Sequence, residues 1–216
     1  MDLSNLNTNT QTRETQAQIT PAMAIDMLKE GNKRFVESGQ VNRSLPNQVQ
    51  DTSTGQFPFA TVLSCIDSRV SSEIIFDQGI GDIFSIRIAG NFINSDILGS
   101  MEFACKLAGT KVIVVLGHTS CGAVKGSVDN ASLGNLTSML GKIRPAVNAV
   151  TQPSEESERT SKNIDFVNNV ARKNVQMSIR RILDESTVLA EMVENGDIAV
   201  IGGMYDIATG KVSFDG

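Results

Sequence analysis

Short apolar runs alternate with amphipathic stretches from Pro58 onward. Four runs have the length and β-branched content of buried strands, and a shorter run near the C-terminus indicates an edge strand. The predicted strands are 59–63, 83–88, 111–116, 197–201 and 211–214, and the predicted helices between them are about 72–78, 95–108, 119–127, 132–149 and 162–195 with breaks. Strands that alternate with helices are typical of βαβ units. The pattern therefore predicts an α/β fold, with a mostly parallel central sheet of four to five strands flanked by helices.

The N-terminal part of the chain changes character at about residue 20. Residues 1–20 are rich in Asn, Thr and Gln without apolar periodicity, which predicts a flexible arm or a segment ordered only by a partner subunit. Thr20 and Pro21 then provide an N-cap and a first helical position, and apolar residues at helical spacing continue this helix to Glu37. No linker or internal repeat follows, so we expect a single domain over residues 21–216.

Composition narrows the classes of function. The chain has 216 residues, of which 40% are hydrophobic and 20% charged, and this suits one domain with a sizeable core. The net charge of −5 argues against nucleic acid or an anionic membrane as a partner. No stretch approaches the roughly 20 apolar residues that span a bilayer, and the polar N-terminus lacks the apolar segment of a secretory signal. We therefore expect a cytoplasmic protein.

Three candidate metal ligands lie just past the ends of two predicted strands. Cys65 follows the first strand, and His118 and Cys121 follow the third, at the edge where parallel sheets bind ligands. If a helix begins near residue 119, the spacing of three brings His118 and Cys121 to one face, and the helix dipole favours the thiolate. Two thiolates and one imidazole suit zinc and leave a coordination position for water, as catalytic zinc sites do. Cys105 lies in mid-helix among apolar residues and is expected to be a core residue.

A charged pair accompanies the first candidate ligand. Asp67 and Arg69 follow Cys65 at alternate positions and are close enough to pair. A bidentate contact with the guanidinium keeps a carboxylate ionised and fixes it as a hydrogen-bond acceptor. Next to a metal, such an acceptor could take the proton of metal-bound water, whereas elsewhere the same pair is a structural ion pair at a strand end. The nearby candidate ligands favour the catalytic interpretation.

With these residues, the chain resembles the β-class carbonic anhydrases. The resemblance rests on Cys-x-Asp-x-Arg, on His-x-x-Cys about fifty residues later, and on the strings GNKRFVESG, SCIDSRV, FSIRIAGN, LGSMEFA, VVLGHTSCGAVKG and GGMYDIATGKVSF, and it covers residues 21–214. It implies a lyase, carbonate dehydratase, in which a zinc-bound hydroxide reversibly hydrates carbon dioxide to bicarbonate and a proton. One Zn²⁺ per chain would be bound by Cys65, His118 and Cys121, with Asp67 and Arg69 as the catalytic dyad. In some family members the aspartate binds the metal, so Asp67 is a conditional fourth ligand.

The resemblance also implies a substrate pocket and an assembly. Gln56 matches a substrate-binding glutamine of the plant-like subgroup, and Gly122 matches a backbone amide donor beside the substrate. Phe84, Ala89 and Phe103 match residues that line the apolar carbon dioxide pocket, although the plant-like enzymes have tyrosine at the position of Phe103. The N-terminal helix and arm resemble segments that wrap a partner subunit, so a homodimer or a dimer of dimers is expected.

Regulation and alternative functions are the last inferences from the sequence. Val62 stands where the bicarbonate-inhibited subgroup has a tryptophan, and the chain has no tryptophan. We therefore expect no bicarbonate allostery, although Arg87 and Tyr205 match other residues of that regulatory pocket. Three other functions remain open: a carbon disulfide or carbonyl sulfide hydrolase on the same zinc site, a non-catalytic zinc-binding homologue, and a redox protein that uses Cys65 and Cys121 despite lacking a C-x-x-C motif.

Overall fold

Five strands form the central sheet, in the order β2–β1–β3–β4–β5. The computed structural model describes residues 9–215, and its strands are β1 (Ala60–Ser64), β2 (Ile83–Arg87), β3 (Val112–His118), β4 (Ala199–Tyr205) and β5 (Val212–Asp215). The first four strands are parallel to their neighbours, and β5 returns antiparallel to β4. Each observed strand overlaps a predicted one, so the prediction of an α/β fold with a mostly parallel sheet is confirmed.

Helices cover both faces of the sheet. Within residues 9–215 they are α1 (Arg13–Gln18), α2 (Pro21–Val36), α3 (Leu45–Asp51), α4 (Ser72–Ile75), α5 (Ser95–Glu102), α6 (Gly122–Val128), α7 (Gly134–Gly141), α8 (Arg144–Ala149), α9 (Ile164–Glu185) and α10 (Thr187–Glu194). A π-helix, Phe103–Leu107, continues α5, and Glu156–Glu158 form a turn of 3₁₀-helix. Every residue of β1 and β3 is buried, because both strands are central and covered on both faces.

Alternate residues of β3 divide between two apolar cores. Ile113 and Val115 pack with α9 and its neighbours on one face, whereas Val112, Val114 and Leu116 pack with α2 and α4 on the other. This division follows from the alternation of side chains along a strand. It fixes the register of β3 and therefore the position at which its last residue leaves the sheet.

The N-terminal segment agrees with the sequence in one part and differs in another. Helix α2 begins at Pro21 as predicted, and the Thr20 side chain accepts a hydrogen bond from the amide of Met23. Residues 1–8 of the predicted flexible arm lie outside the described residues. Residues 13–18, however, form α1, and the buried Gln16 side chain donates hydrogen bonds to the carbonyls of Pro58 and Ala108 at 2.7 and 2.8 Å. The capping box and the buried Gln16 amide hold this segment to its own chain. Because these contacts are polar, the sequence shows no apolar periodicity that would have predicted the helix. The boundary near residue 20 and the single domain after it stay predictions.

Two other helical segments differ from the prediction. Helix α3 was not predicted, because its seven residues are mostly polar and its N-cap, Ser44, makes no side-chain capping bond. The predicted helix over 132–149 is divided into α7 and α8, and the second of these begins one residue before Pro145. Proline lacks the amide proton that a continuous helix needs there. Among residues 9–215, each helix is too short or too polar to cross a membrane.

Candidate metal centre

Three buried side chains that can bind a metal converge at the carboxyl ends of β1 and β3. Cys65 directly follows β1, His118 is the last residue of β3, and Cys121 is the N-cap of α6. Because β1 and β3 are parallel neighbours, their carboxyl ends lie side by side. The potential ligand atoms of the three residues all lie within 4.8 Å of one another, and the two sulfurs are 3.9 Å apart. The structure thus brings together the three side chains that the sequence indicated.

The imidazole of His118 is oriented as a metal ligand. Its Nδ1 lies 2.9 Å from the carbonyl oxygen of Thr119, so Nδ1 carries the proton and donates it. The Nε2 lone pair then faces the cluster, and among the described residues this buried atom has no hydrogen-bond partner. An unpartnered buried polar atom is costly, and a metal ion bound at Nε2 removes that cost.

The electrostatics of the two sulfurs also fit a cation. A hydrogen bond from Cys121 lowers the pKa of Cys65 against the opposing effect of burial, and the amide of Gly90 adds to the shift. The same hydrogen bond, together with burial and the negative charge of Cys65, raises the pKa of Cys121 far above its usual range. Two sulfurs this close therefore keep one proton between them. A divalent cation between them allows both to ionise.

The third cysteine is separate from this cluster. Cys105 is buried in the apolar core, and its sulfur lies 3.3 Å from Oγ1 of Thr110. Burial raises the pKa of its thiol to about 11. The prediction that Cys105 is a core residue is confirmed.

Asp67 and Arg69 form the bidentate pair that their spacing predicted. Nε and Nη2 of Arg69 donate to Oδ1 and Oδ2 of Asp67 at 2.9 and 2.8 Å, and the Arg69 amide donates to Oδ1 at 3.0 Å. The Arg69 hydrogen bond holds the pKa of Asp67 well below its usual range, although burial opposes it. Both carboxylate oxygens thus face Arg69, and Asp67 is not part of the cluster of three. Its role as a conditional fourth ligand stays a prediction.

Arg87 supports the same loop from the edge strand. Its Nε donates to the carbonyl of Cys65 at 3.0 Å, and its Nη2 donates to the carbonyl of Asp67 at 2.7 Å. The sequence connected Arg87 only with a regulatory pocket of one subgroup. Val62, the other residue considered there, is fully buried in β1. The expected lack of bicarbonate allostery stays a prediction.

Two of the predicted substrate-binding residues lie beside the cluster. Ala89 precedes Gly90, whose amide donates to the Cys65 sulfur at 3.3 Å. Gly122 follows Cys121 and begins α6, and no heavy atom lies within 4 Å of the place where a Cβ would stand. An approaching small molecule therefore has room beside the Gly122 backbone.

The other three predicted substrate-binding residues lie elsewhere on the surface of the single chain. The rings of Phe84 and Phe103 meet edge to face with centroids 6.2 Å apart, and they line an open groove between β2 and α5. The three candidate ligands do not line this groove. Gln56 is exposed in the loop before β1. Within one described chain, these three residues and the cluster do not converge.

Sequence reasoning missed two asparagines that contact the backbone next to the candidate ligands. Asn168 and Asn174 of α9 hydrogen-bond to the backbone of Ser120 and Gly90. Neither belongs to a motif. The available signal was the position of Asn174, four residues after Val170 on the buried face of α9, where Ser178 is the one other polar residue among those described.

The fold and the cluster define a class: an α/β protein with a buried Cys–His–Cys cluster that can bind a metal, at the carboxyl edge of a parallel sheet. The model of the carbonic anhydrase family matches residues 60–212. Carbonic anhydrase 2 of Mycobacterium tuberculosis is 37% identical over 195 residues, which are 88% of this chain and 91% of that protein. A carbonic anhydrase of Mycolicibacterium smegmatis is 37% identical over 193 residues, 89% of this chain and 92% of that protein. A solved β-carbonic anhydrase of Aspergillus fumigatus shares the fold, with a TM-score of 0.70 at 24% identity over 90% of this chain and 89% of that one. The chain belongs to the β-carbonic anhydrase family, which confirms the resemblance drawn from its motifs.

Proposed function

We propose that this chain is a zinc-dependent carbonic anhydrase that interconverts carbon dioxide and bicarbonate with a proton. The observation that carries the proposal is the convergence of Cys65, His118 and Cys121 beside an aspartate that Arg69 holds. Membership of the family and the 37% identity to a named carbonic anhydrase support it.

Zinc is the metal that suits these three donors. Thiolate and imidazole ligands favour zinc over magnesium or calcium. Three protein ligands are typical of catalytic zinc, which keeps a fourth position for water, whereas structural zinc commonly has four. When bound, the zinc supplies a hydroxide nucleophile near neutral pH, because it lowers the pKa of its water. His118 would bind it through Nε2, since Nδ1 already donates to Thr119.

The chain's own residues supply the orientation and the pocket. Asp67 is ionised and held by Arg69, so it can accept a hydrogen bond from the nucleophile and direct its lone pair at the substrate. The Gly122 amide would donate to a substrate oxygen. Ala89 would add an apolar wall near Cys65, which suits an apolar gas.

We also propose that the chain acts as a homodimer, or as a dimer of dimers, in the cytoplasm. Phe103 is 53% exposed and Leu107, one turn further along the π-helix, is 75% exposed. With Phe84 they form an apolar surface beside the edge strand β2 that a second copy could cover, and Gln56, Phe84 and Phe103 would then complete a site across the interface.

A β-carbonic anhydrase of Sordaria macrospora with this fold is tetrameric (TM-score 0.67, 23% identity). Sedimentation is expected to give twice the 23.2 kDa of the chain, or four times. A monomer at micromolar concentration would contradict this assembly.

Metal removal tests the proposed activity. Stopped-flow hydration of carbon dioxide is expected to fall to the uncatalysed rate when a chelator strips the protein, and to return when zinc is added. Cys121→Ser is expected to lose both zinc and activity, because a hydroxyl is a poor replacement for a thiolate ligand. Cys105→Ser is the matched control, because its sulfur is equally buried but lies outside the cluster; it should keep one zinc per chain and full activity. A zinc-loaded protein without hydration activity would refute the proposal.

A further inference from the structure

Helix α9 reaches the loop between His118 and Cys121 and also the turn at Gly90 whose amide contacts the Cys65 sulfur. Oδ1 of Asn168 accepts a hydrogen bond from the Ser120 amide at 2.9 Å, and Nδ2 of Asn174 donates to the carbonyl of Gly90 at 2.9 Å. We infer that Asn168 and Asn174 are positioning residues of the metal centre. They act through the backbone and touch neither metal nor substrate. The inference rests on the zinc site proposed above.

One peptide unit connects Asn168 to the imidazole ligand. The Ser120 amide donates to Asn168, and the carbonyl of Thr119, which belongs to the same peptide unit, accepts the Nδ1 proton of His118. Because a peptide unit is planar and rigid, fixing the direction of its N–H also fixes the direction of its C=O. Asn168 therefore fixes the orientation of the Thr119 carbonyl. That carbonyl, through its hydrogen bond with Nδ1, fixes the rotation of the His118 ring and so the direction in which Nε2 points.

The loop needs this support because its backbone is strained. Ser120 has a φ of +56°, in the left-handed region that residues with a side chain seldom adopt. The strand side of the loop is held at Thr119, whose amide donates to the carbonyl of Tyr205 at 2.9 Å and whose Oγ1 accepts from the Ile207 amide at 3.1 Å. The bond from Asn168 adds support at Ser120 itself. Without it, the strained turn can relax and carry the imidazole and Cys121 with it.

Asn174 supports the turn that contacts the other sulfur. Gly90 has a φ of +81°, and its amide donates to Sγ of Cys65 at 3.3 Å while its carbonyl accepts from Asn174. Asn174 is 4% exposed, so water does not compete readily for this hydrogen bond. A Cβ at Gly90 would stand 2.3 Å from the side chain of Ile143, so the turn fits closely into the core. Asn174 thus fixes the residue that hydrogen-bonds the Cys65 thiolate.

The two asparagines play opposite chemical parts, and this gives a sharp test. Asn168 must accept, because its partner is the backbone N–H of Ser120, which can only donate. Asn174 must donate, because its partner is the backbone carbonyl of Gly90, which can only accept. An ionised aspartate accepts but cannot donate. Zinc affinity, measured by competition with a chromophoric chelator, is therefore expected to stay at the wild-type value in Asn168→Asp. It is expected to fall about 10- to 100-fold in Asn174→Asp and in Asn168→Ala, the usual loss when a group that orients a metal ligand is removed.

Two further measurements separate positioning from general stability. Asn169→Ala is the matched control, because Asn169 is the next residue of α9, is exposed, and its side chain makes no hydrogen bond among the described residues; this variant should bind zinc like the wild type. In cobalt-substituted protein, the visible absorption bands of Asn168→Ala should shift while those of Asn168→Asp and Asn169→Ala do not. Equal zinc affinity of Asn168→Ala and Asn169→Ala, or equal losses in Asn168→Asp and Asn168→Ala, would overturn the inference. A wild-type chain that binds no zinc would instead refute the proposed function.

Discussion

Replacing Asp67 by asparagine is expected to lower kcat/KM for carbon dioxide hydration by about 10²- to 10⁴-fold, the range that a positioned acid–base group contributes, while one zinc per chain is retained. The substitution keeps the size of the side chain but removes its charge and turns one acceptor oxygen into a donor. Arg69 holds the pKa of Asp67 well below its usual range, so the carboxylate is ionised at any pH at which the protein would be assayed. Asparagine therefore removes a charged acceptor at every such pH. Stopped-flow hydration with parallel zinc analysis measures the effect.

Two comparisons show whether the loss comes from this carboxylate. Asp26→Asn, at an exposed position of α2 where the carboxylate is 4.0 Å from Lys29, should leave the rate unchanged. Arg69→Lys should cause a smaller loss than Asp67→Asn, because lysine keeps the charge but cannot make both of the parallel hydrogen bonds. If Asp67→Asn hydrates carbon dioxide at the wild-type rate, Asp67 has no part in the chemistry. If it loses its zinc, Asp67 acts by holding the metal and its role as an acceptor is wrong.

The parts of the site that sequence could predict are those encoded by neighbouring residues. β1 and β3 are central strands, buried on both faces, so they are mostly apolar runs, and the sequence located their ends to within two residues. Cys65, His118 and Cys121 lie at those ends, and the parallel order of the sheet brings the ends together. The Asp67–Arg69 pair spans two residues, so its contact also follows from local spacing.

The contacts that sequence could not predict join distant parts of the chain. Asn168 reaches Ser120 over 48 positions, and Asn174 reaches Gly90 over 84. The hydrogen-bond partner of an asparagine in a long helix cannot be identified from the sequence. The partner is a distant backbone group, and which group it is depends on how the helix packs. Gln16 of α1 is a similar case, since its buried amide bonds to two carbonyls far along the chain.

The largest expected effect on stability comes from Gly31→Ala in α2. A Cβ at Gly31 would stand 1.8 Å from the carbonyl oxygen of Phe76 and 2.7 Å from its carbon, so backbone must move to admit one methyl group. The neighbouring side chain resists that movement, because Asn32 donates to the carbonyls of Ile75 and Gly210 and accepts from the Val212 amide. We expect a loss of about 3 kcal/mol or more in the free energy of unfolding, at or beyond the upper end of the usual cost of overpacking. Urea denaturation measures it.

Gly141→Ala in α7 is the matched control, since it also adds a methyl group to a helical glycine. No heavy atom lies within 4 Å of a Cβ at Gly141, so its free energy of unfolding should change by about 0.5 kcal/mol or less. The difference between the free energies of unfolding of the two variants then measures the cost of the clash between α2 and the carbonyl of Phe76, separately from the general effect of replacing glycine in a helix. Equal urea midpoints for Gly31→Ala and Gly141→Ala would mean that α2 can move away from Phe76 at little cost. In that case neither the backbone contact with Phe76 nor the hydrogen bonds of Asn32 fix the position of α2.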